Sequence, residues 1–226
     1  MVTELQPNPG LPLLLSLNAG YVDTIGFLAL HGLFTAHVTG NLVTLGASLA
    51  LGVSGLVAKL LALPVFCSTV IVTRLLSFRL AAMRLPGLRI MLTTKVVLLA
   101  GGAAMALCHG PFSSGDGIEA IATGMMLVAA MAIQNAAHRI YFSQTPPTTV
   151  MTGTTTQIML DVADFWQGLA PEASALTAAR LRRMSTTVIA FAAGCSGAAL
   201  LYITTDHWCF LVPPALGLWM LLSDLD

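Results

Sequence analysis

Apolar residues fall into long runs separated by short polar segments. A spanning helix needs about 20 mostly apolar residues. Six runs reach or approach that length: Leu11–Leu33, Gly55–Leu76, Ile90–Cys108, Ile118–Tyr141, Met184–Thr204 and His207–Leu222. Two shorter stretches, Thr39–Leu51 and Thr152–Phe165, hold about 13 residues each, too few at 1.5 Å per residue to cross a core of about 30 Å. Runs of that length are more often re-entrant, interfacial or buried in protein. The pattern predicts an all-α integral membrane protein, with residues 1–226 forming one transmembrane domain.

Composition narrows the class. Of 226 residues, 56% are hydrophobic and only 9% are charged, against about 25% charged in a soluble domain. With a mean hydropathy of +0.84, this excludes an ordinary soluble domain, a disordered chain and a coiled coil. The lipid bilayer is the implied partner. Net charge is zero, so no nucleic-acid partner is expected. Cys67, Cys108, Cys195 and Cys209 form no CxxC pair. They are expected to be small buried hydrophobes, with a Cys108–Cys209 disulfide left open. Glu4 is the only charge before the first run. A cleaved leader is therefore not expected.

Basic residues decide the topology. With six crossings, and both short stretches returning to the side they left, nine of the ten basic residues fall on one face. Those nine are Arg74, Arg79, Arg84, Arg89, Lys95, Arg139, Arg180, Arg182 and Arg183; Lys59 lies opposite. The positive-inside rule makes that face cytoplasmic, with both termini on it. An inner (plasma) membrane is the expected location. Trp208 on the outer side, with Trp166 and Trp219 on the inner, suits interfacial aromatic belts.

The two halves share polar landmarks. Thr39-Gly40 pairs with Thr152-Gly153 at an offset of 113, and Asp23 pairs with Asn135 at 112. Each half continues with two further spans. Three spans per half is an odd number, so the halves, about 11–108 and 118–222, must be oppositely oriented. Inverted repeats with interrupted helices are the architecture of many secondary transporters.

These landmarks carry a resemblance. Gly20-x-x-Asp23, Phe34, Thr39-Gly40-Asn41 and Gly46, then Gln134-Asn135-Ala136 and Thr152-Gly153, resemble the two signatures of the YoaK-type group of bacterial inner-membrane proteins. That group is a domain family of unknown function. The resemblance runs from about Leu11 to Leu222; Thr24 departs from it, standing where a smaller residue is expected. It implies a multi-pass membrane protein and supplies no substrate or catalytic residue.

Asp23 is the sharpest candidate. An aspartate near the middle of a span costs about 2.5–3.5 kcal/mol on insertion scales, so a carrier of a proton or cation, or a solute ligand, is one reading. A carboxyl group that locks helices together by hydrogen bonds is the other. On the carrier reading, Asp23→Asn should leave stability unchanged or raised. Thr39 and Thr152 are expected to cap short helices. Gly40 and Gly153 would admit a close backbone or ligand. Helix N-termini at membrane depth suit an anion or carbonyl. Asn41, Thr44 and Ser48 share one helix face, as do Thr154, Gln157 and Asp161. Such stripes either line a path or make interhelical hydrogen bonds. His37 could shuttle a proton, though an interfacial role is the simpler reading. His138 and Arg139 are expected to snorkel.

HExxH, GxSxG and P-loop motifs are absent from the sequence. No metal, cofactor or enzymatic activity is expected. The favoured function is a permease or channel for an unidentified small solute, binding near the midplane at the two Thr-Gly helix starts. The alternative is a non-transporting membrane scaffold or assembly partner. A homo-oligomer is left open.

Overall fold

The computed structural model describes residues 10–149, 151–168 and 170–223. Glu4 and both chain ends, on which the leader and terminus expectations rest, lie outside them. Among the described residues every regular element is a helix. The order is α1 (Gly10–Ala29), α2 (Gly40–Leu51), α3 (Leu56–Ala82), α4 (Gly87–His109), α5 (Ile118–Tyr141), α6 (Met151–Gln167) and α7 (Pro171–Thr205). A 3-10 segment, Asp206–Leu211, then leads into α8 (Val212–Ser223).

Five stretches are long and apolar enough to cross a membrane: α1, α3, α4, α5, and residues 173–223 taken together. Several boundaries differ from the sequence reading. The first run stops at Ala29 rather than Leu33, because His31 and Gly32 take positive φ (53° and 83°) and end the helix. α7 starts at Pro171, thirteen residues before Met184. Proline suits a first helical turn, and the Ala-, Leu- and Arg-rich stretch that follows favours helix. Asp206 (φ 49°) ends α7. The last run is not one α-helix. Asp206–Leu211 wind as 3-10 and only Val212–Ser223 are α-helical. All four cysteines are free thiols.

Close contact between backbones fixes the α1–α7 pair. A Cβ on Gly194 would lie 2.0 Å from the Leu17 carbonyl oxygen, and one on Gly20 would lie 2.1 Å from that of Phe191. Only glycine permits this approach. Elsewhere α5 packs on α3 and α4, α2 on α3, α6 on α7, and α8 on α4 and α1. The last segment runs antiparallel to α4. His207 lies beside Gly110, Gly217 beside Val96, and Met220 and Leu221 cluster with Leu88 and Met91.

The 110–117 loop is anchored by Asp116, which accepts from the Gly55 and Val57 amides at 2.9 and 2.8 Å and so caps α3. Burial alone would push its pKa up. The amides of Gly55, Val57 and Leu56 and the Lys59 ammonium outweigh that and hold the carboxyl below the usual carboxylate range. A lowered native value gives stability that is complete above about pH 4 and lost as pH falls through the native value. Asp116→Asn should therefore flatten the acid limb of the thermal midpoint in detergent. The effect should be small, since the side chain is exposed and screened.

Candidate functional site

Asp23 sits in α1 and is 6% exposed. Its Oδ1 accepts from the amides of Thr35, Ala36 and His37 at 2.7, 2.8 and 3.3 Å, and from the Thr35 hydroxyl at 3.3 Å. These donors belong to the non-helical segment joining α1 to α2. Backbone outside a helix must find partners within the protein when it lies at membrane depth, and Asp23 supplies one. Asn41 closes the same segment from the other end: its amide group bonds the Phe34 N–H (2.8 Å) and carbonyl (2.7 Å).

Thr39 precedes α2 but its side chain makes no cap, correcting the N-cap expectation. Its own φ and ψ are already helical (−66° and −22°). The first amides of α2 are taken by carbonyls three residues back: Gly40 by His37, Asn41 by Val38, and Leu42 by Thr39. Those amides are not free for an anion. Gly40 is pressed by the Phe34 and His37 rings, 3.0 and 3.2 Å from a built Cβ, whereas Gly153 faces open space. Thr152 is not a cap either: it lies inside α6 and its carbonyl accepts the Thr156 hydroxyl.

Both polar stripes turn inward. Asn41 is 0% exposed and Thr154 is 3% exposed. Thr44 is half-buried and bonds the Asn41 carbonyl. At the far end of each stripe a cation arrives from the next long helix. Lys59 donates to Ser48 at 2.7 Å, and Arg180 grips Asp161 through two bonds of 2.9 and 2.6 Å. Gln157 adds a third bond to Asp161 at 2.8 Å. The two Thr-Gly starts are not brought together: among the described elements α2 packs on α3 alone and α6 on α7 alone.

Asn135 accepts the Thr149 hydroxyl at 2.5 Å and donates to the Met131 carbonyl at 3.0 Å. Its neighbour Gln134 is more deeply engaged. The Gln134 amide nitrogen donates to the Leu15 carbonyl (3.0 Å) and to the Thr148 hydroxyl (3.1 Å), and its oxygen accepts Lys95 at 2.6 Å. Lys95 is 1% exposed. The sequence reading placed it among interfacial basic residues; it is instead an intramembrane lysine whose hydrogen-bond partner among the described residues, Gln134, is neutral. Such residues mark function by default because their insertion is expensive. An ionisable residue five positions inside the run Ile90–Cys108 was the available signal. His138 is likewise buried rather than snorkelling.

Between α3 and α5 lies a cavity of about 640 Å³, lined by Phe66, Val70, Arg74, Asn135, Ala136, Arg139 and Ile140. Two helices alone wall it, so its third side is open. Arg74 stacks on Phe78 at 4.2 Å. Among the described residues neither arginine has a carboxylate partner. No group of three or more His, Cys, Asp or Glu is placed among those residues to hold a metal.

Residues 11–223 match the profile of a family described as proteins of unknown function (DUF1275), and the chain belongs to that family. No curated protein and no solved structure matches it.

Proposed function

We propose that this member of the DUF1275 family is a permease or channel for a small solute, built from two inverted three-helix repeats. The supporting observation is the unequal state of two helix pairs that the repeat makes equivalent. Exchanging α1 with α5, α2 with α6, α3 with α7 and α4 with α8 turns the α1–α7 contact into α5–α3. It turns α2–α3 into α6–α7 and leaves α4–α8 in place. Lys59 on Ser48 and Arg180 on Asp161 occupy matching places, which sets the α3-to-α7 offset at 121. Under that exchange α1–α7 is sealed by Gly20 and Gly194, while α3–α5 stands open at Asn135. Equivalent interfaces in opposite states suit alternating access, in which one repeat rocks against the other. Exchange of the two states would close over Asn135 and expose Asp23.

The sixth crossing is the segment 206–223. Six 3-10 residues at about 2.0 Å and twelve α residues at 1.5 Å give about 30 Å, the thickness of the hydrocarbon core. With Lys95 inside the bundle, eight of the ten basic residues remain on one face. This one-sidedness supports the reading of an inner-membrane protein with both ends cytoplasmic. No enzymatic step is assigned.

A second reading, a scaffold that transports nothing, is favoured by the burial of Asn41 and Thr154, which leaves no wet path along the stripes. It is favoured also by Thr73 and Arg74 standing where the closed pair has Gly194 and Cys195, since bulkier residues would hold a fixed groove. Single cysteines in a background lacking the native four separate the readings. Ala136→Cys, on the groove wall, should react with a small thiol reagent. Thr24→Cys, its equivalent in α1, should react more slowly but to completion if the α1–α7 pair opens. Permanent protection of Thr24→Cys would remove the permease reading.

A further inference from the structure

The α3–α5 groove has a polarity that its depth explains. α3 runs from the Lys59 face toward the arginine-rich face, and Arg74 lies eight residues past Phe66, about 12 Å along the helix. Arg139 lies two residues from the end of α5. The groove therefore has a cationic mouth, Arg74 and Arg139, at the arginine-rich face. Deeper in, Phe66, Val70 and Ala136 form an apolar floor beside the Asn135 amide, and Ile140 lies at the mouth next to Arg139. The open side meets whatever surrounds the bundle, which at this depth is lipid. Exposed Ile71, Leu75 and Phe78 continue the apolar surface beside it.

We infer that this groove holds one anionic phospholipid of the inner leaflet, its phosphate between Arg74 and Arg139 and an acyl chain along Val70 and Phe66. Charge complementarity carries the choice of occupant. Two guanidiniums without carboxylate partners among the described residues face one cavity, and arginine presents paired donors matched to phosphate oxygens. Basic pockets between spanning helices on the cytoplasmic side are a recurring site for anionic head groups. The chain then acts as a wedge that keeps α3 and α5 apart. The inference needs only the groove and the orientation, not solute passage, so it survives failure of the permease reading.

The test is retention of phosphatidylglycerol against phosphatidylcholine, offered in equal parts to the purified full chain and read by native mass spectrometry. The wild-type chain should keep one phosphatidylglycerol in preference. The double variant Arg74→Gln, Arg139→Gln should lose roughly tenfold or more of that preference, as expected for two arginines at a membrane surface. Arg84→Gln, Arg89→Gln makes the same charge change outside the groove and should keep it. Val70→Trp fills the groove without altering either arginine and should expel the lipid, which covers the case of a double variant that does not fold. Equal losses in both double variants would show diffuse attraction and overturn the site. Displacement of the lipid by millimolar inorganic phosphate would identify a free-anion site and overturn the phospholipid. Equal retention of phosphatidylcholine would overturn recognition by charge.

Discussion

Asp23→Ala is expected to cost about 3 kcal/mol or more, because three buried amides lose their acceptor at about 1–3 kcal/mol each. One carboxylate oxygen holds three backbone amides and a hydroxyl of the segment between α1 and α2. Without it those amides have no water to turn to. The loss is a large share of a total stability of about 5–15 kcal/mol, so folded protein should fall sharply in a detergent-extracted, size-exclusion assay. Asp23→Asn keeps an acceptor oxygen but sets an amide N–H₂ where the second carboxyl oxygen stood, and should cost about 1–2 kcal/mol. This reverses the expectation from sequence, that the amide would leave stability unchanged or raised. An asparagine variant as stable as the wild type would show that the three amides do not depend on the carboxylate, and would return Asp23 to the carrier reading.

Gly194→Ala should produce a comparably large effect by a different route. A methyl group 2.0 Å from the Leu17 carbonyl and 2.9 Å from the Tyr21 amide nitrogen meets backbone, which cannot rotate away. Helices α1 and α7 must separate. Overpacking of a tight core costs about 1–3 kcal/mol, and contact with backbone places this variant near the upper end. The separation also strains the bonds from Asn18 to the Pro213 carbonyl and from Tyr21 to the Cys209 carbonyl, which tie α1 to the last segment. A drop of several degrees in the thermal midpoint, with faster labelling of Thr24→Cys, is the expected result. Gly197→Ala, on the same helix with nothing within 4 Å of the added carbon, should leave the midpoint unchanged. An equal drop in both would mean that loss of glycine, not the α1–α7 crossing, sets the effect.

The hydrophobic pattern located every long helix because each is a run of apolar residues and lipid leaves the backbone no alternative to helix. It misplaced an end set by conformation rather than composition at His31, where a positive φ stops a helix whose sequence could continue. Asp23 was legible because an ionisable group in a span is conspicuous. Lys95 carries the same signal. It was absorbed into the arginine cluster because it lies near the start of its run. Gln134 stands in a quoted motif, but its partners at positions 15, 95 and 148 come from three separate parts of the chain. The stripes Asn41, Thr44, Ser48 and Thr154, Gln157, Asp161 were placed on single faces by helical spacing. Periodicity does not say whether such a face meets water or another helix, and here each meets the next long helix. The groove was invisible for the same reason: Arg74 and Arg139 become neighbours only once α3 packs on α5.

The most direct test of two pairs that exchange states is a comparison of disulfide formation across them in native membranes. Cys195 lies within hydrogen-bond reach of Thr24 across the closed pair, so Thr24→Cys with the native Cys195 should link at once under a mild oxidant. Val70→Cys with Ala136→Cys spans the open groove, in a chain whose native cysteines are replaced. Cleavage in the 110–117 loop shows whether the fragments remain joined. If the pairs alternate, the Val70–Ala136 link forms slowly and to completion, as each molecule in turn closes its groove. If it never forms while Thr24–Cys195 links within the first sample, the groove is fixed and the permease account is wrong.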